Sequence, residues 1–454
     1  MTPIPLGILA SSISGPGYWI TRLYASSSAE LNSIQADGNS MCVLNNEMFL
    51  IYNNSLFSNK SFYSKLNQDG SLSYTKYEDS TLSFQSIKDS VANNKIGIAT
   101  QSGVTQSGLL EINPADGSRS FYSGFSYSGD DDSSSLDVDG SGNYYVCGAK
   151  GYVFSPAVRP KGFITKINSS GSIILEKGAQ SALNLSFPNV NVANSGNVYA
   201  GGYFSGSVAI VKFDPSLNLQ WQYRYDATGI SSSSSGRVKI HTDKSSENTY
   251  ATISSSGNLA IMKINSSGGL VWTKKITSSI NNTNNDLGQD TFISTDGSGN
   301  IYIAARYHDT TSEDGATFIV KLNSSGTKIW EYSIRIEKND NNRTGFVMPK
   351  SSPFYSEDTG EMFISFSARQ ADTVQPHEVY ALKIAGDGST PNATINFGTA
   401  TDTLISATSH VSVINHSAEI VNPNITEHSE SASTKNQVAS SIVTGSVLSN
   451  TQSI

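Results

Sequence analysis

Charged residues and long apolar runs are both scarce in this chain of 454 residues. Only 15% of the residues are Asp, Glu, Lys or Arg, whereas Gly alone contributes 38. No stretch repeats apolar residues at the i, i+3, i+4, i+7 spacing of an amphipathic helix, and none approaches the roughly 20 apolar residues that a membrane-spanning helix needs. The composition therefore excludes a helix-rich protein and favours a turn-rich β protein with short strands.

Cysteines and clustered basic residues are also lacking. Cys42 and Cys147 lie in separate apolar segments, so we expect two buried free thiols, and their number excludes a framework of several disulfides. The net charge of −8 comes from 38 acidic and 30 basic residues, with no basic run. Because binding to a phosphate backbone needs clustered Lys and Arg, we predict no nucleic-acid partner.

The first residues do not have the features of a signal peptide. Residues 1–12 carry no basic n-region, and two prolines interrupt their short apolar core. We therefore predict neither membrane insertion nor export by this route.

A hairpin with Lys on its first strand and Gly five residues later recurs along the chain. Its most similar copies are Lys166-Ile-Asn-Ser-Ser-Gly171, Lys263-Ile-Asn-Ser-Ser-Gly268 and Lys321-Leu-Asn-Ser-Ser-Gly326. Asn and Gly readily adopt the left-handed conformations that tight hairpins require. Less similar copies begin at Lys65, Glu111, Lys212 and Lys383.

A second kind of hairpin alternates with this one and precedes it in every repeat. It is typified by Asp296-Gly-Ser-Gly-Asn300, which is followed by a strand that begins Ile-Tyr-Ile. The other turns of this kind lie near Asn45, Asn93, Asp139, Asn194, Asp243 and Asp358. Seven copies of each hairpin, with four short strands per repeat of roughly 45–60 residues, are the signature of a β-propeller.

The predicted fold is an all-β propeller of seven or eight four-stranded antiparallel blades, with complete repeats at about residues 33–397. The number of blades depends on the two ends. Residues 18–31 resemble an isolated hairpin with Arg22 at the place of the repeated Lys, and residues 402–416 resemble an isolated hairpin of the other kind. Joined, they form an eighth blade within a propeller of residues 18–420; otherwise seven blades carry an accessory N-terminal hairpin.

Two further segments flank the predicted propeller. Residues 1–17 end at a break in composition, and we expect them to anchor the chain to a partner. Residues 421–454 are rich in Ser, Thr and Asn. Such a segment buries too little apolar surface to offset its ordering entropy, so we expect an irregular C-terminal tail unless a partner orders it.

Two Asp-rich turns resemble the start of a calcium-binding loop. The turn that begins at Asp137 and the turn that begins at Asp296 both lack the carboxylate near position twelve that completes such a loop, where Gly148 and Tyr307 stand. Hairpin turns explain these Asp and Asn residues. The acidic patch of residues 130–132, with Asp137 and Asp139, is expected to be a solvated loop. We predict no bound metal and no cofactor.

No set of catalytic residues is recognisable. The six histidines lie far apart, without the spacing of a metal site or of a nucleophile and its base, so no catalytic, cofactor-binding or metal residue is assigned. Trp221, Trp272 and Trp330 recur in register, which indicates packing between blades. Tyr152 and Tyr307, near variable loops, are better candidates for contact with a sugar.

The repeat resembles a known bacterial type. Asp-Gly-x-Gly-Asn-x-Tyr, followed by Phe-Ile-x-Lys-Leu-Asn-x-x-Gly-x-x-x-Trp, is similar to the bacterial β-propeller repeat of secreted and surface proteins, which are usually non-enzymatic. Residues 3–12, Pro-Ile-Pro-Leu-Gly-Ile-Leu-Ala-Ser-Ser, are similar to the opening of tail or fibre-like virion structural proteins of marine tailed bacteriophages. In those proteins this short segment precedes unrelated β domains.

These resemblances imply a non-enzymatic structural component of a bacteriophage virion, such as a tail, fibre or decoration protein. Residues 1–17 would contact other virion proteins, and rim loops of the propeller would face a host cell-surface glycan or neighbouring subunits. Several copies per particle would add avidity. One alternative is a bacterial secreted or cell-surface interaction module. Another is a glycan-active enzyme, which needs carboxylates or a Tyr/His cluster at the ring centre.

Overall fold

The computed structural model is all-β, with no helix among the residues that it describes. Within those residues no helix is long and apolar enough to cross a membrane. The described residues are 19–24, 31–32, 40–54, 60–78, 82–102, 106–126, 131–150, 161–180, 187–204, 207–227, 230, 238–255, 258–278, 285–309, 314–334, 346–369, 378–389, 393–396, 401–406, 411–416, 418–421, 426–429, 433–434, 442–444 and 448–453.

Seven antiparallel sheets, the blades, surround one axis, and the first strands of successive blades contact each other around it. The chain begins with β1 (Trp19–Tyr24) and β2 (Leu31–Asn32). Blades 1 to 3 are then β3 (Met41–Leu44), β4 (Glu47–Asn54), β5 (Lys60–Leu66) and β6 (Leu72–Glu78); β7 (Leu82–Ser90), β8 (Lys95–Ser102), β9 (Gln106–Ile112) and β10 (Arg119–Ser126); and β11 (Asp131–Val138), β12 (Tyr144–Lys150), β13 (Lys161–Ile167) and β14 (Ile173–Gln180).

The remaining blades continue in chain order, each from the axis to the periphery. Blades 4 to 7 are β15 (Asn189–Val192), β16 (Val198–Phe204), β17 (Ser207–Phe213) and β18 (Leu219–Ala227); β19 (Val238–Thr242), β20 (Thr249–Ser255), β21 (Asn258–Ile264) and β22 (Leu270–Ser278); β23 (Asn285–Thr295), β24 (Ile301–Asp309), β25 (Asp314–Leu322) and β26 (Lys328–Ile334); and β27 (Phe346–Pro349), β28 (Phe354–Tyr355), β29 (Glu361–Arg369) and β30 (Glu378–Ala385). In blade 7, β27 and β28 both pair with β29 and together make the first strand.

Each blade has a first turn, between its first and second strands, and a second turn, between its third and fourth. Because neighbouring strands run in opposite directions, both turns lie at the same end of the ring, which we call the turn face. The second turn requires a left-handed residue, and Gly326 supplies it with φ of 78°. In blade 4 Leu217 stands at this place with φ of 57°, which is a strained conformation for a residue with a Cβ.

The hydrophobic core is divided into seven clusters, and each cluster lies between two adjacent blades. The cluster between blades 6 and 7 contains Tyr302, Tyr332 and Phe366. β1 contributes to two of the clusters, since Ile20 packs toward blade 6, whereas Trp19 and Leu23 pack toward blade 1. Successive side chains of a strand point to opposite faces, so one strand joins two interfaces.

The repeated Lys and Trp link blades 4, 5, 6 and 7 each to the next blade, as the register of the three Trp residues predicted. Trp272 Nε1 and Lys263 Nζ both donate to the main-chain carbonyl of Ser324, at 3.3 and 3.1 Å. Ser324 lies in the second turn of the following blade. The same pair of bonds runs from Trp221 and Lys212 to Ser266, from Trp330 and Lys321 to Gly386, and from Trp19 and Lys383 to Gln68.

The N-terminal strand closes the ring as the fourth strand of blade 7. β1 pairs with β30 from Trp19↔Lys383 to Leu23↔Val379, so Trp19 takes the place of the repeated Trp. Of the two predicted blade numbers, seven is confirmed. The alternative eighth blade is not formed by the described residues, and the placement of Arg22 at the Lys position is wrong, because residues 31–32 pair with β4 instead of with β1.

The C-terminal region forms a chain of short strands on the outside of the ring, which we call the belt (residues 393–453). β31 pairs with β32, and each of the next strands pairs with the outermost strand of one blade, from blade 6 back to blade 1 and then blade 7. The belt strands are β31 (Ala393–Asn396), β32 (Thr401–Ser406), β33 (Val411–His416), β34 (Ala418–Val421), β35 (Thr426–Ser429), β36 (Ser433–Thr434), β37 (Ile442–Thr444) and β38 (Leu448–Ser453).

The belt therefore runs once around the ring, in the reverse of the blade order. Its pairing is longest at blades 5 and 7, with six positions each, and shortest at blades 2 and 6, with two each. Residues 421–454 were expected to be an irregular tail, but their described part contains β35 to β38, because the outer edges of the blades supply backbone partners. Their pairing covers edges of the blades, which would otherwise offer backbone groups for association with other chains.

Candidate functional site

The first strands of the blades surround an axial channel whose end at the turn face is lined by polar side chains. One position, two residues before the first turn, is polar in five successive blades. The residue at this position borders one or both of the cavities at this end of the channel in each of the five blades. Its occupants in blades 2 to 6 are Asp89, Asp137, Asn191, His241 and Ser294.

Asp137 lies at the centre of this polar end and is only 4% exposed. Its Oδ2 accepts a hydrogen bond from the backbone N–H of Val192 at 2.7 Å. Its Oδ1 lies 3.5 Å from Lys244 Nζ and 3.7 Å from Lys88 Nζ. The prediction that Asp137 belongs to a solvated acidic loop is wrong, because the carboxylate is buried between two ammonium groups from blades 2 and 5.

The charges of this cluster stabilise each other. Burial raises the pKa of Asp137, but Lys244 and Lys88 together with the Val192 N–H outweigh it and leave the pKa below its usual value. Burial lowers the pKa of Lys88, and the Asp137 and Asp89 carboxylates outweigh that effect, so its pKa lies above the usual value. Both side chains are therefore charged at neutral pH.

His241 is the histidine that faces the channel among those whose side chains the structure describes. Its Nε2 lies 3.0 Å from Thr295 Oγ1. Burial, reinforced by the charge of Lys88, lowers the pKa of His241 to about 4. The imidazole is therefore neutral at neutral pH and acts as a hydrogen-bonding group and not as a cation.

Two adjacent cavities occupy this end of the channel. The smaller, of about 70 Å³, lies beside Asp137, Asn189 and Lys239. The larger, of about 290 Å³, lies beside the first strand of blade 2 and the first turns of blades 5 and 6. Lys88, His241 and Lys244 border both cavities and so lie between them. Lys88 and Lys244 are the two residues that form ion pairs with Asp137.

The Asp residues of the first turns have local partners. Asp296 Oδ1 accepts hydrogen bonds from the N–H groups of Ser298 and Asn300, and Asp296 Oδ2 accepts from Tyr302 Oη at 3.0 Å. Asp139 has an equivalent set of partners in its own turn. These contacts are those of hairpin turns. The described residues contain no group of three or more His, Cys, Asp and Glu side chains arranged to hold a metal ion.

Both cysteines are free and buried, as the sequence predicted. Burial raises the pKa of each thiol well above its usual value, and Cys42 borders the larger cavity. The prediction that Tyr152 and Tyr307 contact a sugar is not tested by the structure. Tyr152 lies outside the described residues, and the backbone of Tyr307 lies in β24 while its side chain is outside the described part.

Sequence reasoning missed the cluster of Lys88, Asp137, His241 and Lys244. A signal for it was present in the repeats, since a polar residue recurs two positions before the first turn in blades 2 to 6. Polar residues at one repeat position of a propeller converge on the axis, as closure of the ring requires. The contact between Lys244 and Asp137 crosses from blade 5 to blade 3, which no local pattern indicates.

Solved structures share the propeller fold with this chain at low similarity. The Dos1 propeller is 10% identical, with a TM-score of 0.43, and covers 80% of this chain and 96% of its own. The polysaccharide lyase Uly1 (10%, TM-score 0.46, 81% and 99%) and the periplasmic gluconolactonase PpgL of Pseudomonas aeruginosa (10%, TM-score 0.45, 87% and 99%) are similar to the same extent. Neither the protein-family models nor the curated proteins yield a match. At these values, no activity or ligand follows from the likeness.

Proposed function

We propose that this chain is a non-enzymatic structural component of a bacteriophage virion that displays its propeller for attachment to a host surface or to neighbouring virion proteins. The similarity of residues 3–12 to the opening of tailed-phage virion proteins motivates the virion. The fold contributes a rigid, closed body with seven interlocked interfaces. Residues 1–17 serve as the contact with other virion proteins, and the particle carries several copies.

The position of β1 in the ring is the observation that supports an anchor before it. Trp19 begins β1, the fourth strand of blade 7, and pairs there with Lys383, next to the second turn. Ser453 pairs with Trp19 from the other side. Residue 19 therefore lies at the rim of the turn face, and we propose that residues 1–17 contact their partner from there. An anchor at the rim leaves the channel and the opposite face of the ring to other contacts.

The charges in the channel favour binding over catalysis. Hydrolysis of a glycosidic bond uses one carboxylic acid with a raised pKa beside a second carboxylate. Here the pKa of Asp137 is lowered by two ammonium groups, and His241 has a pKa of about 4. Asp296 is held by its own turn. These groups suit recognition of a ligand by charge and hydrogen bonds, and they suit proton transfer near neutral pH poorly.

Mass spectrometry of purified phage particles tests the proposal. We expect the chain in a fixed ratio to the capsid protein, and we expect a chain without residues 2–17 to fold but to be lost from particles. The matched control replaces residues 2–17 by a Gly/Ser segment of equal length, which separates the anchor sequence from spacing. Recovery of the full chain only in host membranes or medium would favour a bacterial surface or secreted module instead.

A further inference from the structure

The larger axial cavity is bordered by two pairs of oppositely charged neighbours. Lys88 and Asp89 come from blade 2, with Nζ and Oδ1 3.9 Å apart. Asp243 and Lys244 come from blade 5, and all four residues border the same cavity of about 290 Å³. Asp243 Oδ1 already accepts hydrogen bonds from the N–H groups of Ser245 and Ser246 in its own turn. The border of the cavity therefore contains two ammonium groups and two carboxylates, which can donate to and accept from hydroxyl groups.

The hydrogen-bonding capacity of these groups is not used up inside the described part of the protein. Asp137 Oδ1 is buried and accepts no hydrogen bond there. Its distances of 3.7 and 3.5 Å to Lys88 Nζ and Lys244 Nζ exceed the usual N–H···O length. Lys244 Nζ donates at 3.3 Å to the carbonyl of Val138, and an ammonium carries three N–H groups. Donors thus remain for a ligand in the cavity.

The balance of charge selects against an anionic ligand. The larger cavity is bordered by the two lysines of the pairs and by three carboxylates, Asp89, Asp243 and Asp296, so its lining has a formal charge of −1. Asp137 and Lys239 border only the smaller cavity and offset each other. A carboxylate or phosphate would face this negative charge. A hydroxyl group has no charge and can donate to an aspartate while it accepts from a lysine, so adjacent hydroxyls match a Lys–Asp pair.

Another part of the same cavity is apolar. Met41 of blade 1 and Pro353 and Phe354 of blade 7 border it. A pyranose ring has hydroxyls around its rim and C–H groups on its faces, so it can use both kinds of surface at once. The volume suits a single sugar unit, because pockets for larger drug-sized ligands begin at about 300 Å³.

From these observations we infer that the larger axial cavity binds one neutral hexose unit, through Lys88, Asp89, Asp243 and Lys244 as hydrogen-bonding residues and Phe354 as the apolar contact. The inference rests on the proposed function, because it takes the host-surface ligand to be a glycan unit and places the site for it at the end of the channel. It requires no chemical step.

Titration of the purified full chain with glucose, galactose, mannose and N-acetylglucosamine, followed by saturation-transfer NMR and calorimetry, tests the site. Glucuronate is the anionic comparator. We expect millimolar binding of at least one neutral sugar and weaker binding of glucuronate. Asp89→Asn and Lys244→Met each remove one member of a pair, and each should weaken the binding at least tenfold. Asp226→Asn, on the outer strand of blade 4 beside Arg224, is the control and should bind like wild type.

Several results would overturn the inference: no saturable binding of any of these sugars, tighter binding of glucuronate, or equal losses in Asp89→Asn and in the control. Thermal unfolding of each variant shows whether it folds, and Asp89→Asn keeps the shape of the side chain, so it remains informative where Lys244→Met fails to fold. Sugar binding by the isolated protein does not depend on its presence in particles. Absence from particles with intact sugar binding would therefore refute the proposed function alone.

Discussion

The ring and the belt are both built from β-strands, yet different forces hold them. In the ring, seven apolar clusters lie between blades, and large side chains such as Tyr199, Tyr250 and Tyr302 are fully buried. The belt joins the outer edges of the blades through strand pairing along two to six positions at each blade. Its composition is dominated by Ser, Thr and Asn. The difference shows that burial of apolar side chains holds the ring together, whereas the described contacts of the belt with the ring are backbone pairings.

The largest expected effect comes from Trp19, which joins two blades at the point of closure. Trp19 is 3% exposed, so Trp19→Ala should lower the free energy of unfolding by about 3–5 kcal/mol, the usual cost of emptying a buried aromatic site. Trp272 takes the equivalent place in blade 5 but is only partly buried, which corrects the expectation of a fully buried core residue. Trp272→Ala is the matched comparator and should cost about 2 kcal/mol.

Urea unfolding, monitored by circular dichroism, measures both values. Equal losses in the two variants would mean that closure by β1 adds nothing to the contact that the repeated Trp makes in blades 4 to 7.

A smaller effect should come from an ion pair between blades 4 and 5. Lys212 Nζ lies 2.8 Å from Glu247 Oε2. Burial raises the pKa of Glu247, and hydrogen bonds from Lys212, Ser195, Tyr199 and Asn197 outweigh it, so the pKa falls to about 2. A lowered pKa adds stability above the unfolded value of about 4.3, and this stability is lost as the pH falls toward 2.

We therefore expect Glu247→Gln to be less stable than wild type by about 2 kcal/mol at pH 7 and equal to it near pH 2. Thermal midpoints at half-unit steps from pH 2 to pH 7 measure the difference. Because the pKa of His241 falls from about 6.5 in the unfolded chain to about 4 in the folded protein, both proteins should lose stability as the pH decreases from 6.5 to 4. This loss is the same in both proteins, so it cancels in the comparison. A difference that stays constant down to pH 2 would contradict the assigned pKa.

The smallest effect on global stability should come from the end of the belt. β38 pairs with β1 from Trp19↔Ser453 to Tyr24↔Leu448, while β1 keeps its pairing with β30 and its buried side chains. Removing residues 448–454 should therefore cost no more than about 1 kcal/mol, the net worth of about one hydrogen bond. The amides of β1 that face β38 should nevertheless exchange at least tenfold faster.

Hydrogen exchange of residues 19–24, read by NMR or mass spectrometry, measures this change, and a chain that lacks only residue 454 is the control. A loss of stability as large as that of Trp19→Ala would show that the belt, and not the apolar clusters, holds the closing strand.

The parts of the fold that the sequence predicted are those with a local signature. The second turns require a left-handed residue, and Gly171, Gly268 and Gly326 mark them. The register of Trp221, Trp272 and Trp330 indicated contacts between blades. The candidate site was harder to predict. In the sequence, Asp137 follows closely on the aspartates at residues 130–132. Only closure of the ring brings Lys88 and Lys244 to it from two other blades.

The sequence by itself determined an all-β propeller of repeated hairpin pairs, because turn chemistry and strand alternation act over a few residues and recur in each repeat. The tertiary structure decided three further features: closure of blade 7 by residues 19–24, the course of the belt, and the charged end of the channel. The belt is linked to the ring by pairing between backbones, which leaves little trace in side chains. Closure by residues 19–24 also buries Trp19, Ile20 and Leu23, but no local pattern shows which blade this strand completes. The channel depends on which residues meet at the axis, and that is settled only when seven blades close into a ring.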